Sequence, residues 1–221
     1  MQLVKQVCPT KFLYVRRALS VPAPRILDIG CGNNSPSITK HWFPGCHYSG
    51  ADIQQYNNND DDIAAIDTFY PVAADGTGYS AIPDRSFDFI ILHHVIEHMP
   101  APTPILTAIC SKLKPGGYIW LAFPSVRSLS FPPAAEGTFQ FCDDDSHIYI
   151  PGVREISNVL LGNGVKILHA GRTRDIAREL VGAAVLPWAL LRRLITGRLS
   201  VRGLWYLLGF EDHVFGQRKL S

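Results

Sequence analysis

Three short turns and one histidine-rich segment hold the residues with the most chemistry in them. The first turn is Asp28-Ile-Gly30-Cys31-Gly32-Asn-Asn34. Gly30 permits a tight turn, and Gly32 lets the backbone come close to a bound molecule. Asp52 stands 20 residues after Gly32, where a carboxylate can accept both hydroxyls of a ribose. Asp75, followed by Gly76, could accept the amino group of an adenine. Three such turns suit one nucleoside, although an Asp alone in a loop is more often a cap. A dinucleotide site needs a third glycine at position 35, but Ser35 and Pro36 stand there, so that fingerprint fails. Asp28, two residues before the first glycine, suits a cationic ligand better than an anion.

His93, His94, His98 and His147 could take a proton from an alcohol or phenol. His94 and His147 are the candidate bases. His94, Glu97 and His98 share one face if the chain is helical from Val95 onward. A His and carboxylate set at that spacing can ligate a metal, but it more often only fixes the start of a helix, and no metal is expected. His147 follows Asp143-Asp-Asp-Ser in a loop that could equally be a solvated acidic turn.

The elements that must hold these residues alternate. Strands are predicted at Arg25–Ile29, His47–Ile53, Tyr70–Ala74, Phe87–Leu92, Tyr118–Phe123, Val165–Ala170 and Glu211–Lys219. Helices are predicted at Ser35–Trp42, Thr103–Leu113 and Val153–Leu161, the last closed by Gly162-Asn-Gly164. Lys114-Pro-Gly-Gly117 reads as a sharp turn and Asn57 to Asp62 as a polar loop. Thr173 to Leu208 reads as helical, broken near Pro187 and Gly197. Strand alternating with helix implies an α/β fold with a mostly parallel sheet, whose ligands bind at the carboxyl ends of the strands. Trp42, Trp120 and Phe123 read as core. The irregular stretch from Ser128 to Phe139 is a candidate acceptor loop.

Ile26-Leu-Asp-Ile-Gly-Cys-Gly32 resembles the first motif of class I S-adenosylmethionine-dependent methyltransferases. Asp52 matches their ribose-binding acid, and Asp75-Gly76 their adenine-side acid. Ser86-Phe-Asp-Phe-Ile-Ile-Leu-His-His-Val-Ile-Glu-His98 is similar to the fourth motif, and Leu113-Lys-Pro-Gly-Gly-Tyr-Ile-Trp-Leu121 to the run into the fifth strand. The motifs come in the family's order, over residues 25–170. Asn34 departs from a frequent third glycine. The resemblance implies a Rossmann-like seven-stranded sheet of order 3-2-1-4-5-7-6, the last strand antiparallel, with helices on both faces and S-adenosylhomocysteine as product. It implies that Gly30, Cys31 and Gly32 pack on the cofactor's amino-acid part, Asp28 helps hold its ammonium, Ile53 flanks the adenine, and His93, just past the fourth strand, faces the sulfonium region. Some metal-assisted relatives carry E-x-x-E-H where this chain has His94 to His98.

The chain has 221 residues, 47% hydrophobic and 18% charged, enough for a large core in one domain spanning 1–221. That composition excludes a disordered chain, a coiled coil and a disulfide miniprotein. Cys8, Cys31, Cys46, Cys110 and Cys142 have no pairing spacing, which suits a reducing, cytoplasmic setting. No signal peptide or membrane span is expected. Residues 1–170 carry 12 basic against 15 acidic residues, and 171–221 carry 9 against 4. An acidic cofactor-binding part makes nucleic acid an improbable partner. Residues 172–209 are predicted as a helical insertion before the last strand, rich in Arg, Leu and Trp. It could cover the core, form a homodimer, or rest peripherally on a membrane. A methyltransferase acting on a small-molecule or lipid- or sugar-linked acceptor is the leading expectation. A non-catalytic binding module and an RNA methyltransferase are the alternatives.

Overall fold

The computed structural model describes residues 8–73, 75–134, 136–200 and 203–220. Seven strands form one sheet in the order β3-β2-β1-β4-β5-β7-β6. They are β1 (Arg25–Ile29), β2 (His47–Asp52), β3 (Thr68–Pro71), β4 (Phe87–His93), β5 (Leu113–Pro124), β6 (Val165–Arg172) and β7 (Glu211–Arg218). β1 pairs in parallel with β2 and β4, β4 with β5, and β2 with β3. β7 runs antiparallel to both β5 and β6. This is the order the resemblance implies.

The apolar runs explain the centre of the sheet. Every residue of β1 after Arg25 is buried, as are all of β4 before His93. Such strands need a cover on both faces, and alternate residues find it. Leu27, Ile90, Leu92, Ile119 and Leu121 pack in one cluster with Ile105, Leu106 and Ile109 of α5 (Pro102–Lys112) and Ile156 and Leu160 of α6 (Val153–Gly162). Ile26, Phe89, Ile91 and Trp120 pack on the other face. That face is covered by Phe12 of α1 (Thr10–Leu13), Val15 of α2 (Val15–Ala18) and Ile38 of α3 (Ser35–Trp42). Trp120 and Phe123 are core residues, each fully buried. Burying a large apolar side chain of this kind stabilises by roughly 1.5–3 kcal/mol.

Several boundaries differ from the expectation. The Lys114–Gly117 turn is absorbed into β5, where the register against β4 shifts between Phe87 and Phe89 and Gly116 sits at φ +79°. The third strand starts two residues early and stops at Pro71. The Asn57–Asp62 run ends in α4 (Asp60–Ala64), because Asn59 and Asp62 form a reciprocal capping box. No helix starts at Val95; a single 3₁₀ turn, Ile96–His98, precedes α5. α7 (Ile176–Thr196) runs through Pro187 without ending and stops at Gly197, φ +72°. One missing ladder bond is outweighed there by anchors on both sides: Gly182 lies against Gly203, and Ala189 is buried in a third apolar cluster. α8 (Leu204–Leu208) joins that cluster with Phe139 and Phe210. No helix among the described residues is long and apolar enough to cross a membrane.

Candidate functional site

The carboxyl ends of β1, β2 and β4 meet in a cleft that Gly30, Asp52, Ile53, Gly76, Val95 and His98 line. Gly30 is there because nothing else fits. Its φ is +74°, and a Cβ would fall 2.3 Å from Val95 Cγ2. Its N–H donates to the Ala51 carbonyl at 2.8 Å, tying the β1 turn to β2. Gly32 is required for a different reason from the one expected. A Cβ there would meet the Tyr56 carbonyl oxygen at 2.6 Å, so its space is used by the loop after β2.

That loop locks the turn from above. Asn58 donates to the Cys31 carbonyl and accepts from the Asn34 N–H, and Asn34 donates to Asp62. Asn33 and Asn34 have φ of 56° and 60°. Asparagine tolerates that left-handed region, which explains how Asn34 replaces a glycine. Cys31 itself is buried, its thiol turned against Gly50, and burial pushes that thiol well above its ordinary value. Its backbone is covered as well, the carbonyl by Asn58.

Asp52 accepts from the Ile53 N–H at 2.7 Å, and burial raises its carboxyl above the usual range. Ile53 beside it is 61% exposed at the cleft rim. Gly76 lines the cleft, at φ +84° against Ile105. Asp75 does not. It is exposed, and its carboxylate closes a turn on the Thr77 N–H at 2.9 Å, which holds its pKa down. That edge of the cleft is therefore formed by Gly76 and its apolar neighbours.

Asp28 is 1% exposed and spent internally. Ser35 and Tyr48 donate to the same carboxylate oxygen at 2.6 and 2.8 Å, and buried Lys11 donates to Ser35 at 2.8 Å. Burial pushes the Asp28 carboxyl up, against the opposing pull of Lys11 and the two hydrogen bonds. Ser35, Tyr48 and Lys11 thus stand around the one Asp28 oxygen that accepts these bonds.

The histidines are arranged unlike any simple base. His94 sits at φ +55°, its N–H on the Ala122 carbonyl. Its Nδ1 lies 3.1 Å from Glu97 and its Nε2 2.9 Å from Glu211. Burial opposes the charge, but the hydrogen bonds to the two carboxylates win and push the pKa up to about 10. Burial likewise opposes the charge of Glu211, which the hydrogen bond and charge of His94 hold down to about 2. With a carboxylate on each nitrogen, the His94 ring has no lone pair to offer, which argues against its expected part as a base. His93 lies 3.5 Å from Glu211, and burial lowers it to about 3. His147 is turned inward, 5% exposed, with Nδ1 on the Phe141 carbonyl at 2.7 Å and its ring against Phe141. It fixes its loop instead of facing an acceptor.

His98 is the ring on the cleft wall. Its Nδ1 lies 3.1 Å from the Ser146 carbonyl, so the proton belongs on Nδ1 and the lone pair on Nε2. Glu97, His98 and His147 bring ligand atoms within 4.8 Å of one another, as do His93, His94 and Glu211. The first set has the donors a divalent cation would need; in the second, His94 has no lone pair to give.

Lys11, Val95 and Glu211 were not singled out from sequence. Nothing near Lys11 marks it. Glu211, an acid opening an otherwise buried strand, carried a readable signal.

A second cavity, of about 540 Å³, opens between the 136–138 loop, α7 and α8. Arg178, Val181, Trp205 and Tyr206 line it, mostly with apolar surface. Trp205 packs its ring 5.7 Å from that of His94, so this cavity abuts the end of β4. Glu136 ties the loop to α7 through Arg192 and to Ser200.

Residues 9–170 match the family model described as a methyltransferase domain, well over half of the chain. The ubiquinone biosynthesis O-methyltransferase of Burkholderia thailandensis is 22% identical over 168 residues, covering 72% of each chain. Its counterpart in Burkholderia vietnamiensis is 24% identical over 117 residues, so the alignment spans only 50% of that relative and 52% of this chain. Among solved structures, a SAM-dependent methyltransferase from Archaeoglobus fulgidus superposes with TM-score 0.58 at 18% identity, over 98% of this chain and 94% of that one. At that identity the likeness is one of fold. The matched span stops before α7.

Proposed function

The chain belongs to the methyltransferase-domain family, and from that premise we propose that it methylates an oxygen of a small, largely apolar acceptor seated in the cavity beside Trp205. The protein is an S-adenosylmethionine-dependent methyltransferase, and its cleft has the parts that cofactor needs. The Gly30 turn presents bare backbone, Asp52 offers a rim carboxylate for a ribose, and Ile53 offers an exposed apolar flank. Around the end of β4, Asp28, Asp52, Glu97 and Glu211 outnumber the cations Lys11 and His94, a balance that suits a sulfonium. When bound, the cofactor supplies an activated methyl group and leaves as S-adenosylhomocysteine.

The chain's own work is positioning. Val95 lines the cleft, and the ring of its neighbour His94 lies 5.7 Å from that of cavity-lining Trp205; this proximity carries the reading. His94 and its two carboxylates fix that wall. His98 Nε2 accepts the proton from the acceptor hydroxyl, with Ser146 holding the tautomer. The O-methyltransferase name of the curated relatives supports oxygen as the methylated atom. A cytoplasmic setting is part of the proposal, supported by five free cysteines, three of them buried.

Turnover with labelled cofactor on a series of alkylated phenols tests it. Trp205→Ala should raise KM for the longer acceptors at unchanged cofactor affinity. His98→Ala should lower kcat by roughly 10²–10⁴-fold. Full activity in both variants would sink the reading.

A further inference from the structure

α7 is a helix with its apolar face outward. Ile176, Leu180, Trp188, Leu191, Leu194 and Ile195 are between 53% and 85% exposed. Together with exposed Ala184 they fall at steps of three or four residues, which places them on one stripe. No charge interrupts it. The opposite stripe is the packed one, with Gly182 against Gly203 and Ala189 buried in the third cluster. A cover helix of a soluble domain is built the other way round, so this face is made for something it does not yet touch.

The charges around the stripe say what. From Leu180 to Phe210 the sequence holds four arginines, Arg192, Arg193, Arg198 and Arg202, and no acid. Arg193 and Arg198 are exposed and stand in no ion pair among the described residues. Arg202 lies outside those residues. An apolar stripe on a helix that carries arginines on its other faces and in the turn after it, with no acid among them, is complementary to an anionic lipid surface.

A second copy of the chain is the competing occupant, and charge weighs against it: a two-fold pairing of this face would bring the same arginines together, with no acid from Leu180 to Phe210 to offset them. Spanning is excluded too, since no described helix is apolar enough over a sufficient length.

We infer that α7 lies flat on an anionic membrane surface, with its Ile176–Ile195 stripe in the lipid and its arginines at the headgroups. The apolar cavity opens beside the same helix, since Arg178 and Val181 of α7 line it and Val181 is 57% exposed. An apolar acceptor could then pass from the lipid to Trp205 without crossing water. The docking itself stands apart from the acceptor assignment and is testable without turnover.

The full chain is sedimented with vesicles of phosphatidylcholine alone, and with about a quarter of that lipid replaced by phosphatidylglycerol. Binding is expected on the anionic vesicles, with a blue shift of tryptophan emission that Trp188→Phe abolishes. The double variant Leu191→Glu with Ile195→Glu should bind at least ~tenfold more weakly, at unchanged circular dichroism and cofactor affinity. No binding by the folded wild-type chain would overturn the inference, as would binding that survives the double variant. A dimer in sedimentation velocity that the double variant dissociates, without vesicle binding, would assign the face to a second copy instead.

Discussion

With Glu97 on Nδ1 and Glu211 on Nε2, the His94 ring carries both protons and joins the 3₁₀ turn after β4 to β7 through one cation. Its removal leaves two buried carboxylates face to face. His94→Ala should therefore cost about 3–5 kcal/mol of unfolding free energy, read by urea denaturation. His94→Gln should recover part of it, because the amide still donates to one oxygen. A loss under about 1 kcal/mol would show that the pair is not held as described. Gly30 makes a sharper test. Gly30→Ala must place a methyl 2.3 Å from Val95 at a positive φ, and should weaken cofactor binding at least ~tenfold. Val95→Ala in the same chain should restore a part, since it clears the clash but not the backbone strain. Full restoration would mean that the glycine's conformation is irrelevant. Individual residues were partly legible in the sequence. Gly30, Asp52 and Gly76 stand where motif spacing put them. Asp28, Asp75, His94 and His147 stand near the site but are engaged with other protein groups. Spacing cannot reveal this, because Ser35, Tyr48, Thr77, Glu211 and the Phe141 carbonyl arrive from elsewhere in the fold or from turn geometry.

Elements were more legible than residues. Continuous apolar runs marked the buried strands, and alternating burial of their two faces follows from the pleat. What escaped was local chemistry outside periodicity. The acidic Asn57–Asp62 stretch looks like solvated loop, yet its Asn58 and Asn59 latch the first turn and cap α4. Asn58→Ala removes two bonds to that turn, to Cys31 and Asn34, and should weaken cofactor binding by about tenfold with a stability loss near 1 kcal/mol. Calorimetric titration beside thermal melting separates the two effects; a change in stability with intact affinity would make the latch merely structural. Pro187 misled in the opposite direction. A proline reads as a helix break, but tertiary anchors at Gly182 and Ala189 hold α7 straight through it. Packing that comes from α8 and the 131–139 loop leaves no mark on the local sequence of α7.

Over the whole molecule, the acidic cleft-bearing part and the arginine-rich excursion before β7 come together near Trp205. Behind them, β6 and β7 carry a titratable core. His213 is fully buried, stacked on Trp120, 2.7 Å from His169 and 3.0 Å from Thr173. Burial first, then the charge of His169, lowers its pKa to about 4, against a smaller opposing pull from Glu211. A group depressed on folding contributes stability that is present above its unfolded pKa, near 6.5, and lost as pH falls toward 4. Up to about 3 kcal/mol should disappear across that window. His213→Phe keeps the stack and should reduce the slope, leaving the part that His93, lowered to about 3, supplies in the same window; an unchanged pH dependence would place the titrating group elsewhere. The central claim, that the β1–β2–β4 cleft is the cofactor site, is tested most directly by titrating the full chain with S-adenosylmethionine in a calorimeter. The account predicts micromolar binding, weakened at least ~tenfold by Asp52→Ala. No binding in that range, or binding indifferent to Asp52, would contradict it.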